Sequence, residues 1–209
     1  MISLAGKAIS FEGGEGVGKT SVIDIIMNDL KDELNLDIVK IREPGGTDIC
    51  EQIREVILTK KNTKMFGTTE ALLFAASRAQ LLREKTFELL KEGKFVIYDR
   101  FVDSSVVYQG AVRGLGMDEI IQLNKFAIGD FMPIRTYVLD LDPKIGLARI
   151  HSNDRETNRL DDEGMEFHYN IRKYYLELAK RFPERICVIN ANQAPKQVAE
   201  DVKKDLLSL

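Results

Sequence analysis

Gly13-Gly14-Glu15-Gly16-Val17-Gly18-Lys19-Thr20 fits the pattern G-x-x-x-x-G-K-[ST]; it stands directly after a predicted strand at about 7–12 and opens a predicted helix. That order is what a phosphate cradle requires. The glycines let successive backbone N–H groups converge on phosphate oxygens, and the helix start adds positive potential. Lys19 has the reach for the β- and γ-phosphates, and Thr20 offers a hydroxyl to Mg²⁺. A glycine-rich turn without function would not ask for the Gly-Lys-Thr ending. The loop by itself does not separate a kinase from a GTPase, a motor or a nucleotide-gated switch.

Outward from the loop, short β-branched or apolar runs alternate with longer segments of helical period, the pattern of βα units around a parallel sheet. Five strands are predicted, at about 7–12, 37–42, 95–99, 135–140 and 185–190. Thr68 or Thr69 is expected to precede a long helical run through Leu72, Leu73, Ala76, Leu81 and Leu82, with Gly93 closing it after Lys91. Asp142-Pro143 reads as an N-cap followed by proline at the first helical position, and Pro195 opens the last helix in the same way. No linker, repeat or low-complexity tract interrupts the 209 residues, so one domain over 1–209 is expected. The most polar stretch, from Ser152 to Gly164, reads as a mobile flap.

The bulk composition narrows the partners. A net charge of −3 gives no basic surface for nucleic acid, so an anionic ligand must be met by a local cluster of cations. The N-terminal run Ala8-Ile9-Ser10-Phe11 is too short for a signal-peptide core, and no uncharged apolar run approaches the ~18 residues of a membrane span. A cytoplasmic protein without a membrane partner is expected. Cys50 and Cys187 have no metal-ligand spacing and read as inert thiols.

Three further segments carry chemistry. Phe95-Val96-Ile97-Tyr98-Asp99-Arg100 is a buried-strand pattern ending in a carboxylate and a guanidinium, and ligands of open α/β sheets gather at the carboxyl ends of strands. Asp99 suits Mg²⁺ or its waters; Arg100 suits a bidentate grip on an acceptor phosphate. Asp140, ending another strand, competes for the metal role on pattern alone. Glu43-Pro44-Gly45-Gly46-Thr47 follows the second strand and brings one more carboxylate to the same edge. Arg149, Arg155 and Arg159 lie in or beside the flap, where they read either as a solvated charged face or as cations that close over a triphosphate.

Taken together the chain resembles bacterial thymidylate kinase over nearly its whole length. The resemblance rests on Phe11 to Thr20, Arg42-Glu43-Pro44-Gly45-Gly46-Thr47, Leu73-Phe74-Ala75-Ala76-Ser77-Arg78, Asp99-Arg100-Phe101-Val102-Asp103-Ser104-Ser105, Tyr108-Gln109-Gly110 and Asn158-Arg159-Leu160-Asp161, in the family's order. It implies the P-loop nucleoside monophosphate kinase fold, with a five-stranded parallel sheet flanked by helices and a short lid at about 149–163. It implies transfer of the ATP γ-phosphoryl group to dTMP, giving dTDP for dTTP synthesis, with Mg²⁺ required, and a symmetric homodimer. Phe74 is then the ring stacked on thymine, Arg78 the donor to the base carbonyl, and Ser104 and Gln109 the remaining polar readers. Tyr108 packs against the sugar, disfavouring a 2′-hydroxyl. Arg54 and Arg100 clamp the acceptor phosphate, with Glu43 and Asp99 organising the metal and the acceptor side. Because the phosphate loop holds no arginine, the resemblance is to the lid-arginine type, with Arg155 the first choice for the catalytic contact and Arg149 the second. Cys50 departs from the family's usual glycine, Ser21 from a second threonine and Phe101 from tyrosine. Two other functions fit parts of the pattern. A kinase for another nucleoside or nucleotide would share the loop and differ in the base readers, and a non-catalytic nucleotide switch would leave Asp99, Arg100 and the flap arginines without a task.

Overall fold

The computed structural model describes residues 3–151 and 163–209. Among them, β1 (Ala8–Glu12), β2 (Ile38–Arg42), β3 (Phe95–Asp99), β4 (Arg135–Asp140) and β5 (Ile186–Asn190) form one parallel sheet in the order β2-β3-β1-β4-β5. The register pairs Ile9 with Ile97 and Phe11 with Asp99, so β1 and β3 end side by side. All five expected strands are present, their limits within a residue of the reading. The central strands are apolar on both faces because helices cover both. Along β3 the alternation sends Phe95 and Ile97 into one apolar cluster and Val96 and Tyr98 into the other.

The helices sort to these two faces. On one lie α1 (Lys19–Leu34), through Val22, Ile23, Ile26 and Leu30, and the C-terminal α9 (Pro195–Ser208), through Val198, Val202 and Leu206. On the other lie α3 (Gly67–Leu81), the short α5 (Val102–Ser105) with the π-helical stretch Val106–Val112, α6 (Met117–Ile128), and α8 (Met165–Arg181). The chain leaving β1 therefore turns to one face and the chain leaving β3 to the other. A crevice opens between them at the carboxyl ends of two adjacent strands, where open α/β sheets bind ligands. Two more helices flank it: α2 (Asp48–Leu58) after β2, and α7 (Pro143–His151) after β4.

Two expectations on helix punctuation need correction. Thr68 and Thr69 do not cap α3; the helix starts at Gly67 behind Phe66, and both threonines fall in its first turn. The long run is also not one uniform helix, since α3 passes through a π-helical stretch, Leu82–Thr86, into α4 (Phe87–Lys91). Gly93 does end it, with a φ of 80° and its N–H on the Leu90 carbonyl at 3.0 Å. Asp142 caps α7 through its side chain, which accepts the Lys144 N–H at 2.8 Å, and Pro195 is the first residue of α9.

Candidate active site

Gly13 adopts a φ of 133°, and a Cβ there would stand 2.7 Å from the Leu139 carbonyl oxygen, so only glycine lets the loop turn off β1 against β4. Lys19 then begins α1, its ammonium donating to the carbonyls of Gly13 at 3.2 Å and Gly14 at 2.9 Å. Burial, with the like charge of Arg100 adding, lowers its pKa to about 8. The lysine is thus held curled over its own loop, poorly solvated, where an arriving phosphate would be a better partner than two carbonyls. Thr20 follows it at the exposed start of the helix.

Arg100 lies just past β3 with a φ of 71°, a left-handed conformation that costs a non-glycine residue ~1–3 kcal/mol and persists only where surroundings enforce it. They do so here. Its guanidinium donates to the Gly13 carbonyl at 3.1 Å and to Glu15 at 2.8 Å, and lies 5.1 Å from the ring centre of Tyr108, whose hydroxyl donates to the same Glu15 oxygen at 2.9 Å. Asp99, one residue earlier, is buried at the end of β3 and faces the same crevice.

A cleft of ≈ 760 Å³ gathers most of the residues singled out from the sequence. Its walls include Glu15, Gly16, Val17, Gly18, Lys19 and Thr20 of the phosphate loop, with Asp99, Arg100, Ser104, Tyr108 and Gln109 from the β3 side. Glu43, Arg54, Phe74 and Arg78 line its outer arm, which β2, α2 and α3 supply. Arg149 and Ile150 of α7 and Pro195 of α9 line the opposite, β4–β5 arm. Gly13 and Gly14 sit behind it, against a cavity of ≈ 10 Å³ that Asp140 and His168 share. Phe74 is half-buried and belongs to neither apolar core cluster, which sets it apart from an ordinary core aromatic. Tyr108 serves both, packed in the core and open to the cleft. Arg155 and Arg159, and the part of the flap from 152 to 162, lie outside the described residues.

Several of these side chains hold one another. Arg78, almost fully buried, donates through Nε to Glu43 at 2.7 Å, through Nη1 to Ser105 at 3.2 Å and to Asn124, and through Nη2 to the Phe101 carbonyl at 3.1 Å. Glu43 has its other oxygen buried without a hydrogen-bond partner, and burial, only partly offset by Arg78, raises its pKa to about 7. Gln109 gives its amide to Glu70 at 2.8 Å, so its carbonyl oxygen is the acceptor it can offer. Arg54 donates to the Pro44 carbonyl at 2.7 Å, after the cis Glu43–Pro44 peptide. Cys50 sits inside the first turns of α2, its thiol donating to the Ser77 carbonyl at 3.2 Å, so the turn ahead of Arg54 is made by Gly45 and Gly46. Asp140 is gripped by Arg172 through two bonds of 2.6 and 3.0 Å and lines the small cavity behind the loop, whereas Asp99 lines the cleft.

Glu12 escaped the sequence reading. It is fully buried, accepts the Phe101 N–H at 2.8 Å and the hydroxyls of Ser104 and, at 2.8 Å, Tyr175, and burial with the Asp103 charge raises its pKa. It ties the phosphate-loop strand to the segment bearing Arg100. One signal was available: a carboxylate closing an otherwise apolar strand. Tyr175, on α8, offered none.

The comparisons with known proteins agree on one family. The family model described as thymidylate kinase matches residues 11–202. The chain belongs to the thymidylate kinase family. It is 53% identical to the thymidylate kinase of Anoxybacillus flavithermus over 92% of each chain. It is 50% identical to that of Clostridium novyi over 95% of this chain and 97% of that one. The crystal structure of thymidylate kinase from Ehrlichia chaffeensis superposes with a TM-score of 0.78 at 30% identity, covering 96% of this chain and 98% of that one. The enzyme is a thymidylate kinase, phosphorylating dTMP to dTDP, and its P-loop α/β architecture is the family's.

Proposed function

We propose that the two arms of the cleft divide the substrates, with the γ-phosphoryl group of ATP passing to dTMP where they meet at the phosphate loop. The strand order carries this reading. Glu43, Arg54, Phe74 and Arg78 come from the β2–β3 side and Arg149 and Pro195 from the β4–β5 side, with β1 and its loop between. Gly13 to Thr20 cradle the ATP phosphates, and Lys19, with its lowered pKa, exchanges two carbonyls for phosphate oxygens and is held fully charged by them. On the acceptor arm Phe74 stacks on thymine, Gln109 and Ser104 read its edge, and Arg78 reaches the base carbonyl by giving up one of its protein partners while keeping its hydrogen bond to Glu43. Tyr108, with its hydroxyl on Glu15, lies along the sugar. Arg54 and Arg100 hold the acceptor phosphate.

Thr20 and Asp99 are hard oxygen donors on the same cleft, a set that fits Mg²⁺, which takes one or two protein oxygens together with phosphates and waters. When bound it would supply charge neutralisation at the phosphates. The protein's own contribution is placement and countercharge, with no covalent enzyme intermediate. Arg155 as first choice, and Arg149 as second, supplies the catalytic arginine that the phosphate loop lacks. The whole of 1–209 is read as one P-loop kinase domain acting in the cytoplasm. Among the described residues no helix is long and apolar enough to cross a membrane.

Steady-state assays with dTMP, dUMP, dGMP and dCMP as acceptors test the reading of the acceptor arm, where dTMP is expected to be preferred and a purine preference would overturn it. Arg155→Ala is expected to lower kcat by at least ~10²-fold with dTMP binding retained. An unchanged kcat would remove Arg155 from the machinery.

A further inference from the structure

The phosphate loop and α7 meet backbone to backbone. A Cβ on Gly146 would stand 2.3 Å from the carbonyl oxygen of Glu15, and one on Gly16 would stand 2.0 Å from the carbonyl oxygen of Gly146. Both obstacles are main chain, so no side-chain rotation relieves them. Gly16 has a φ of 68° and is glycine for conformation as well, but Gly146 is not. It lies inside α7 with its N–H on the Asp142 carbonyl at 3.1 Å, in a conformation open to any residue. Within a helix alanine is the better choice, since glycine has more backbone freedom to lose. A glycine at 146 runs against helix propensity, and the close approach to the phosphate loop is what it permits.

We propose that Gly146 is a positioning residue for phosphoryl transfer: its missing side chain seats α7 on Glu15 and Gly16, and so fixes where Arg149 stands against the phosphate loop. Arg149 follows after about one helical turn and lines the cleft. An ordinary contact begins near 3.4 Å, so a methyl group at 146 has to drive helix and loop apart by about 1 Å. A misplacement of that size costs on the order of 10²-fold in rate even when the reacting groups are untouched. The disturbance enters from the β4 side. The acceptor readers Phe74, Arg78 and Gln109 stand on α3 and the π-helical stretch after α5. The inference rests on the division of the cleft proposed above.

The test pairs two glycines flanking the 152–162 segment. Gly146→Ala is expected to lower kcat by on the order of 10²-fold, with dTMP affinity by calorimetry within about twofold of the parent and a cooperative melt at a modestly lower Tm. Gly164→Ala, where an added Cβ meets nothing within 4 Å, is expected to keep the parental kcat. A Gly146→Ala enzyme with kcat within about twofold of the parent would overturn the proposal. So would a lowered Tm with loss of dTMP binding, since the glycine would then serve the fold rather than the transfer. Arg149→Ala run alongside separates the two readings: an unchanged kcat there, with the loss in Gly146→Ala intact, supports the seating of the phosphate loop and removes only the arginine.

Discussion

Phe74 and Glu43 show how far single residues were legible. In the sequence Phe74 sits in a helical run apolar enough to need no ligand, and only its half-burial in the cleft, outside both core clusters, marks it. Phe74→Ala is expected to weaken dTMP by ~1–3 kcal/mol, the scale of base–aromatic stacking, with ATP binding unchanged in calorimetry; equal losses for both ligands would mean general damage. Glu43 was visible as a carboxylate at a strand end, but its protonation was not, because that depends on burial contributed by residues distant in sequence. In the folded protein Glu43 keeps its proton up to about pH 7, whereas in the unfolded chain it releases it near the ordinary carboxyl value of 4.5. Its contribution to stability is therefore full below about pH 4.5 and is lost as pH rises towards 7, a change of about 3 kcal/mol. Glu43→Gln removes the titrating group, so urea unfolding should show the variant gaining on the parent between pH 5 and pH 8. A difference between the two proteins that ignores pH would refute the assignment. Lys19 and Arg100 follow the same lesson: motif and strand end exposed their chemistry, while the left-handed φ of Arg100 and its bonds to Gly13 and Glu15 needed the fold.

Elements were read most securely where local punctuation and period agree. Strands with β-branched runs, Asp142-Pro143 and Gly93 are local signals, and each stands where it was expected. The start of α3 and its π-helical stretch were missed because threonines at 68 and 69 resemble caps and a π insertion leaves no mark on hydrophobic period. Ties between elements were out of reach altogether. Asp103 of α5 is bound through both oxygens by Arg185, ahead of β5, at 2.6 and 2.9 Å, and also accepts the Thr136 hydroxyl of β4 at 3.0 Å. This clamp fixes the segment that carries Arg100 and Ser104. Arg185→Ala leaves a buried carboxylate without its cation, at an expected cost of about 3 kcal/mol in urea unfolding, the low end for such pairs because the arginine is 21% exposed. Arg185→Lys should recover part of it. A loss near zero would mean that Asp103 needs no countercharge.

The two most exposed large apolar side chains of the described residues lie on α6 and just before α3. Phe126 of α6 is 90% exposed and Phe66, before α3, 80%, with Leu72 of α3 and Ile49 and Val56 of α2 also open, and α3 packs between α2 and α6. The run from Leu72 to Leu82 is thus split, with Leu72 outside and Leu81 and Leu82 in the core. We propose that this face joins two copies in the dimer that the family resemblance implies. Sedimentation should give twice the 23.7 kDa chain mass, and Phe126→Glu should shift it to the monomer; a parent protein that sediments as a monomer would dismiss the interface. Sequence alone determined the sheet, the phosphate loop, the family and the chemical identity of most cleft residues, because period, punctuation and motif act over a few neighbouring residues. Tertiary structure alone decided that Asp140 is claimed by Arg172, that Glu12 binds two separated segments, and that Gly146 lies against Glu15. Each of these is a contact between residues far apart in the chain, and its strength depends on burial, which no local pattern encodes.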